Sequence, residues 1–473
     1  MTELPKTLTD AAAALRAGTA TSVELTRAAI DVADRLDPAI GTYLTRFDDY
    51  ALERAERADT ELARGEDRGP LHGIPFGVKD ILAMAEGPTT AQSLILDPAW
   101  GAGKDAPVVA RLKAAGAVIT GKTTTMEYAC GMPDPDKPFP VPRNPWNADT
   151  WPGGSSSGTG SGVAAGMFLA GLGTDTGGSI RIPAAFCGVS GLMPTFGRVP
   201  KSGCVPLGYS LDHIGPLARS ARDCASVLEV LAGLDKSDPD CVDAPFTAPE
   251  LTGDLSGLRI GVVREHHFPD GRDPALDGAF DAAVAVLAER GATVVEATLP
   301  YWHEMITVDM ITMGCEALAY HRGDLAARWD DYFVATRATI AGGAQVSGAD
   351  YVQAQRVRRV AQDAIGRLFD TVDVIASPTT AIGAPGYETL AGPDGQPDIR
   401  ALFEMIHTSY WDTLGNPVLA VPMGFTGGGL PLSLQLAGPA FGEATILRAG
   451  DAFQQSTDWH LRVPAPATEG AAA

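Results

Sequence analysis

The sequence predicts an α/β fold with a parallel or mixed central β-sheet, and two observations indicate it. From residue 69 onward, short apolar runs bounded by Gly and Pro have the composition of buried strands, as at residues 74–78 and 117–121. A helical segment at about residues 106–115 separates those two runs, so helix and strand alternate. The same alternation returns later in a strand–helix–strand pattern at residues 258–263, about 274–290 and 292–297.

The elements before and after this region follow from local signals. Thr21 and Glu24 form a capping box that begins a helix, which we expect to end near residues 36–38 at Leu-Asp-Pro. A second helix is expected at about residues 48–64, with Gly65 as its stop. The C-terminal part predicts helices at about 303–329 and 348–369, strands at 372–377, 417–425 and 430–436 with a hairpin at 427–429, and a closing helix at about 444–455.

Two irregular stretches interrupt these elements. Residues 131–153 carry many prolines and fit neither a helix nor a central strand, so we interpret them as a wall or lid over a site, with a plain connector as the alternative. Residues 236–257 are rich in Pro and Asp, and we expect a surface crossing rather than a domain boundary.

Composition and charge limit the class of protein. The 473 residues are 45% hydrophobic and 20% charged, which is typical of a soluble globular chain. The formal net charge of −22 repels phosphate backbones, and no Lys/Arg run forms a basic stripe, so we expect no nucleic-acid partner. The N-terminus lacks a signal-peptide pattern, and the apolar stretch at 163–172 is too short to cross a bilayer. We therefore expect no membrane association and a cytoplasmic monomer or homodimer.

Cofactor and metal motifs are weak or missing in the sequence. The six cysteines are far apart, with no CxxC pair and no closely spaced Cys/His set, so we expect free thiols and no metal. The glycines at 160 and 162 match a dinucleotide fingerprint only in its loosest form, and there is no Walker A pattern. We expect no cofactor.

The most unusual stretch spans residues 151–194. Its run GGSSSGTGSG has the composition of a flexible linker, but it continues into the apolar VAAGMFLAGLG, which must be buried, and then into TGGS. Two Gly-dense elements around a buried helix let backbone N–H groups approach an oxyanion closely, which favours acyl transfer. The rival is a G-x-S-x-G nucleophile elbow on Ser156, but that motif needs a preceding strand and here Trp and Pro precede it.

Several blocks together resemble the amidase signature family. They are GIPFGVKD, GGSSSG, GTDTGGSIRIPAAFCGVSGLMP, RNPWN and GNPVLAVPMGF, and the resemblance extends from about residue 8 to 460. It implies one α/β/α domain over residues 1–473 with a mixed central sheet flanked on both faces by helices. Within it we expect N-terminal helices at about 8–65, a signature core at about 69–235 and a C-terminal part at about 257–460.

The resemblance assigns the catalytic base to Lys79, a bridging role to Ser155 and the nucleophile to Ser179. It also implies a cis peptide bond between Gly154 and Ser155. A serine hydroxyl is a weak nucleophile until a base removes its proton, and lysine can act as that base only when neutral. Because the ordinary lysine pKa is about 10.4, neutrality at pH 7 requires roughly 4–5 kcal/mol of bias, so Lys79 must be buried among its apolar neighbours.

Further residues are expected to bind the oxyanion, contact the substrate or support the turn. We expect the backbone N–H groups of Thr176, Gly177, Gly178 and Ser179 to form the oxyanion hole. The resemblance places Tyr128 and Ala129 beside the substrate, although the sequence departs from the family pattern after Gly131. Supporting roles are open for Asp80, Asp175 and Arg181, with plain salt bridges as the alternative, and Tyr410 and Trp411 are either an aromatic wall or core residues.

The resemblance implies a serine amidohydrolase that cleaves the C–N bonds of small or aryl amides, with esters and carbamates (urethanes) within reach of the same acyl-enzyme chemistry. The alternative is a glutamine-hydrolysing amidotransferase subunit of a transfer-RNA-dependent complex. A non-catalytic binding protein is a third hypothesis, which the intact Lys79, Ser155 and Ser179 disfavour.

Overall fold

The computed structural model describes residues 5–390 and 399–465. Its helices, in chain order, are α1 (Leu8–Ala17), α2 (Ser22–Ile40), α3 (Asp48–Ala63), α4 (Pro107–Ala114), α5 (Ser157–Ala165), α6 (Arg181–Cys187), α7 (Ala221–Leu231), α8 (Leu276–Glu289), α9 (Trp302–Arg328), α10 (Val334–Gly342), α11 (Gly348–Phe369), α12 (Tyr387–Leu390), α13 (Ile399–Glu404), α14 (Ser409–Leu414) and α15 (Glu443–Ser456). Short 3-10 turns lie at Glu127–Ala129, Trp329–Asp331, Gly343–Gln345 and Trp459–Leu461.

The strands form one mixed sheet. They are β1 (Tyr43–Arg46), β2 (Pro75–Lys79), β3 (Val118–Thr123), β4 (Ala170–Asp175), β5 (Ser190–Met193), β6 (His213–Ala218), β7 (Arg259–Val262), β8 (Thr293–Glu296), β9 (Val374–Pro378), β10 (Val418–Phe425) and β11 (Pro431–Ala437). Across the sheet the order is β1-β3-β2-β4-β6-β5-β10-β11-β9-β7-β8. The pairs β2/β3, β2/β4, β7/β8 and β7/β9 are parallel and the others antiparallel. This confirms the predicted mixed sheet.

Helices cover both faces of the sheet, as predicted. Successive residues of β10 show this: Leu419 belongs to the apolar cluster that includes Leu228 of α7 and Leu447 of α15. Its neighbour Ala420 belongs to the opposite cluster with Ala184 of α6. The alternation follows from the two-residue period of a strand, and it buries every position in the centre of the sheet.

Most predicted elements are confirmed within a few residues, including both N-terminal helices, the strand–helix–strand unit of β7, α8 and β8, and the hairpin of β10 and β11. The expected end of α2 is wrong. The helix continues through Pro38 to Ile40 and ends at Gly41, whose φ is +60°. Asp37 accepts hydrogen bonds from the N–H groups of Thr42 and Tyr43, which stabilises the chain just beyond this end.

The buried helix is also shifted from its expected place. The second half of the Gly/Ser run, together with residues 163–165, forms α5, and the later apolar residues continue into strand β4. A Cβ on Gly162 would lie 2.2 Å from Cζ of Phe168, and one on Gly158 would lie 2.2 Å from the carbonyl oxygen of Thr42. Close packing therefore overrides the low helix propensity of glycine here.

Other segments had no clear sequence signal. Strands β1, β5 and β6 and helix α10 were not expected. Residues 236–257 form no helix or strand, yet Phe246 and Leu255 are buried in the same cluster as α7. The single-domain organisation stays a prediction. Among the residues described, none of the helices combines the length and apolar character that a membrane crossing requires.

We predict that Gly158→Ala lowers the thermal unfolding midpoint, because the added methyl group meets backbone atoms of Thr42 and Thr124 that cannot move easily. Overpacking of this kind costs about 1–3 kcal/mol. Gly323→Ala in α9 is the control, since no atom lies within 4 Å of its new Cβ and alanine favours a helix. Circular dichroism melting measures both, and equal midpoints would contradict the packing argument.

Candidate active site

Lys79 is the last residue of β2, a strand whose five residues are all buried. Its ammonium nitrogen Nζ donates hydrogen bonds to Ser155 Oγ and to Thr174 Oγ1 of β4, both at 2.7 Å. Both acceptors are uncharged hydroxyl groups. Within the described chain, no carboxylate forms an ion pair with Lys79.

Burial lowers the pKa of Lys79 from 10.5 to about 7. Loss of hydration is the largest cause, because it disfavours the charged ammonium, and the more distant carboxylates of Asp175 and Asp212 oppose it only in part. A large fraction of the side chain is therefore neutral at neutral pH. A neutral amine within hydrogen-bond distance of a hydroxyl can accept its proton.

A second buried lysine, unlike Lys79, has a carboxylate partner. Lys122, on the neighbouring strand β3, has its Nζ 2.9 Å from Asp80 Oδ1 and donates to the carbonyl of Leu82 and the hydroxyl of Thr89. Asp80 thus takes a buried salt bridge, the alternative that the sequence left open. Of the two lysines, Lys79 is the one whose environment suits a base.

Ser155 lies in the turn before α5. The Gly154–Ser155 peptide bond is cis, as the resemblance implies. A Cβ on Gly154 would lie 2.5 Å from Cε of Met126, and the N–H of Met126 donates to the Ser155 carbonyl at 3.3 Å. Met126, in the segment that leads to Tyr128, therefore stabilises the backbone around Ser155.

Ser179 lies in the turn between β4 and α6 and is half-buried. Its carbonyl accepts a hydrogen bond from the N–H of Ser156 at 3.2 Å, so the two serine segments are joined through their backbones. No hydrogen bond between the hydroxyls of Ser155 and Ser179 is present in the described residues. The structure thus brings Lys79 and Ser155 into direct contact and places Ser179 beside them, and the proton relay stays a prediction.

The expected oxyanion donors are not all free. The N–H of Gly178 donates to Asp175 Oδ1 and is therefore engaged within the structure. Its role as an oxyanion donor stays a prediction. The N–H groups of Gly177 and Ser179 have no partner among the residues that the structure describes. Thr176 directs its hydroxyl to Asp212 Oδ1 at 2.6 Å. That bond leaves the Thr176 N–H without a partner in the described chain, so three of the four expected N–H groups are unengaged. Of these, the N–H groups of Gly177 and Ser179 lie on either side of the Gly177–Gly178 peptide, and we consider them as the oxyanion donors.

A buried ionic cluster lies behind this turn. Arg181 Nε is 2.9 Å from Asp175 Oδ2, and the same guanidinium contacts Asp412 of α14. Burial opposes the ionisation of Asp175, but the positive charge of Arg181 outweighs it and holds the Asp175 pKa below its usual value. Burial raises the pKa of Asp412 well above its usual value. The supporting role considered for Asp175 and Arg181 thus has a structural basis.

The predicted substrate contacts follow Met126. Tyr128 and Ala129 have φ values of +49° and +61°, a conformation that is uncommon for residues with a side chain. The Tyr128 ring is buried, with its centroid 4.3 Å from that of His321. Contact of Tyr128 and Ala129 with substrate stays a prediction.

The Pro-rich loop after them packs on the segment around α10. Lys137 Nζ donates to the carbonyl of Asp330 at 2.7 Å, and Phe139 contacts Phe333. The loop is therefore fixed at this end, and its role as a wall or lid stays a prediction.

Two sequence alternatives are resolved by packing. Ser156 is fully buried, and its hydroxyl exchanges hydrogen bonds with the backbone of Thr174, so it is occupied within the structure. Tyr410 and Trp411 are fully buried, and Tyr410 stacks on Trp302 at 5.3 Å, so they are core residues.

Sequence reasoning missed Thr174, the second acceptor for Lys79, although it lies within the TDTGGS block. It also missed Thr408, Ser409 and Asp412. These residues are far away in the chain, and no spacing pattern links them to the turn.

Comparisons with known proteins agree with this chemistry. A family model described as Amidase matches residues 24–447. A glutamyl-tRNA(Gln) amidotransferase subunit from Roseiflexus sp. (strain RS-1) is 42% identical over 486 aligned residues, which cover 97% of this chain and 98% of that protein.

Solved structures give the same result. A chain from a vestigial protein complex, described as revealing the evolutionary origins of an s-triazine catabolic enzyme, has a TM-score of 0.87 and 33% identity, and the match covers 95% of this chain and 98% of that one. The native peptide amidase from Stenotrophomonas maltophilia has a TM-score of 0.81 and 30% identity, with 98% and 99% covered.

We predict opposite stability effects for the two buried lysines. Lys79→Met removes a buried amine that has no carboxylate partner within the described chain, so the unfolding midpoint stays the same or rises while activity is lost. Lys122→Met leaves Asp80 buried without its cation, which costs about 3–5 kcal/mol. Thermal melts of both variants measure this, and an equal loss in both would contradict the distinction.

We predict that the reactivity of Ser179 rises with pH. The folded-state pKa of Lys79 is about 7, so below that pH the amine is protonated and cannot accept a proton. The rate constant for phosphonylation by a fluorophosphonate should increase about tenfold per pH unit below this value and level off above it. A rate that keeps rising to about pH 10, the ordinary lysine range, would contradict a lowered pKa.

Proposed function

Since this chain belongs to the amidase family, we propose that it hydrolyses amide C–N bonds through an acyl-enzyme on Ser179. The observation that carries the proposal is the hydrogen bond from the buried Lys79 Nζ to Ser155 Oγ, together with a pKa of about 7 for that amine. The base is thus available at neutral pH without a histidine.

The reaction begins when neutral Lys79 accepts the Ser155 proton while Ser155 accepts the proton of Ser179. The Ser179 oxygen then forms a bond to the carbonyl carbon of the substrate, and the negative charge on the carbonyl oxygen is stabilised by the N–H groups of Gly177 and Ser179. When the C–N bond breaks, the proton returns through Ser155 to the leaving nitrogen. Water repeats the sequence on the ester, releases the acid and restores Ser179.

The first candidate substrate class is small or aryl amides, with esters and carbamates accepted by the same ester intermediate. Two observations favour it. The peptide amidase is similar over nearly the full length of this chain. The segment after Gly131 also departs from the family pattern, and Lys137 and Phe139 fix it against the segment around α10.

The second candidate is hydrolysis of glutamine within a transfer-RNA-dependent complex. The comparisons support this candidate more strongly, because the relative at 42% identity is named as a subunit of such an amidotransferase. That name links the relative to transfer RNA and to partner subunits, against our expectation of no nucleic-acid partner for this chain. The charge of −22 makes contact through a partner subunit more favourable than direct binding.

The test is hydrolysis of four substrates, namely a p-nitroanilide, an aryl carbamate, an aryl ester and glutamine. Ser179→Ala, Ser155→Ala and Lys79→Ala should each lose at least about 10³-fold in kcat, as expected for members of one proton-transfer unit. Ser161→Ala is the control, because it changes a serine of the same block whose hydroxyl bonds to Thr42 and Gly158.

The outcome also ranks the substrates. Turnover of the anilide or carbamate supports the first candidate, and turnover of glutamine alone supports the second and calls for co-purification of a partner. Activity that survives Ser179→Ala would overturn the nucleophile assignment and return attention to Ser156.

A further inference from the structure

The peptide group between Gly177 and Gly178 is held on both of its sides. Its carbonyl oxygen accepts hydrogen bonds from Thr408 Oγ1 at 2.7 Å and from Ser409 Oγ at 3.2 Å. Its N–H donates to Asp175 Oδ1. The two hydroxyls come from the start of α14, more than 200 residues further along the chain.

This peptide group lies between the two candidate oxyanion donors. The N–H of Gly177 belongs to the peptide before it and the N–H of Ser179 to the peptide after it. The torsions on either side of the central peptide therefore set the relative direction of both donors. A Gly–Gly peptide has no Cβ to restrict those torsions, so its orientation must be fixed from outside.

The residues around the Gly177–Gly178 peptide leave space for the Thr408 hydroxyl. Gly178 has a φ of +130°, and a Cβ there would lie 2.1 Å from Thr408 Oγ1, so the hydroxyl occupies the space that a side chain would need. Arg181, which contacts Asp175, also donates from Nη1 to the Thr408 carbonyl at 3.0 Å. The carbonyl and N–H contacts on the peptide thus belong to one connected unit.

We propose that Thr408 and Ser409 are positioning residues that fix the Gly177–Gly178 peptide and thereby aim the N–H groups of Gly177 and Ser179 at the oxyanion. The inference rests on the proposed acyl-enzyme function. Both residues act through the turn and not on the substrate. Their loss therefore affects the transition state, where the negative charge develops, and leaves ground-state binding unchanged.

The test compares Thr408→Val, Ser409→Ala and the double variant with wild type. Because removing a whole oxyanion donor costs about 10²–10³-fold in kcat, misdirecting the donors should cost about 10-fold or more in each single variant, with KM unchanged. The inhibition constant of a boronic acid or aldehyde, whose serine adduct is tetrahedral, should weaken in parallel. Thr408→Ser keeps the hydroxyl and should recover most of the rate lost in Thr408→Val.

A matched control removes a threonine hydroxyl elsewhere, in the sheet. Thr120→Val is the control used: it removes a buried threonine hydroxyl of β3 that bonds to Tyr43 Oη at 2.9 Å, and Thr120 forms no hydrogen bond with residues 175–181 or 406–409 in the described chain. It should lower the melting temperature about as much as Thr408→Val while leaving kcat unchanged.

A wild-type kcat in the double variant, or an equal kcat loss in Thr120→Val, would overturn the proposal. Wild-type enzyme that neither turns over any amide or ester nor reacts with a fluorophosphonate would overturn the acyl-enzyme function itself, and the positioning role with it.

Discussion

The site depends on one interaction, the hydrogen bond from a buried lysine to a serine hydroxyl. Burying an amine is costly unless it is paired or neutral. Within the described chain, the partners of Lys79 are the hydroxyls of Ser155 and Thr174, so the fold favours its neutral form. Strands β2 and β4 lie next to each other in the sheet, are buried along their whole length, and supply Lys79 and Thr174.

Several other buried charged side chains near Lys79 form ion pairs. Lys122 and Asp80 neutralise one another, and Arg181 joins Asp175 to Asp412. The second cluster lies directly behind the turn that carries Ser179, and through Asp175 it holds one side of that turn. The molecule therefore separates two tasks. Ionic groups fix the backbone, and a buried lysine without an ionic partner among the described residues is the group that we propose as the base.

The sequence could predict what is local. Lys79, Ser155 and Ser179 lie in short sequence blocks of distinctive composition. The strands β2, β10 and β11 were predicted from their apolar runs. Helix α5 was displaced in the prediction because its residues are poor helix formers, and only packing against Thr42 and Phe168 explains them. The role of Thr408 and Ser409 could not be predicted, because two hydroxyls so far along the chain meet the turn only once the sheet has formed.

The central claim is that Lys79, which has no carboxylate partner in the described chain, is a base with a strongly lowered pKa. The most direct measurement is the titration of its Nζ by NMR in protein labelled with 15N-lysine, with Lys79 assigned by its loss in the Lys79→Met variant. The account predicts a midpoint near pH 7, far below the ordinary lysine value. A midpoint near pH 10, about the value for a lysine in water, would show that Lys79 is charged at neutral pH and would contradict the account.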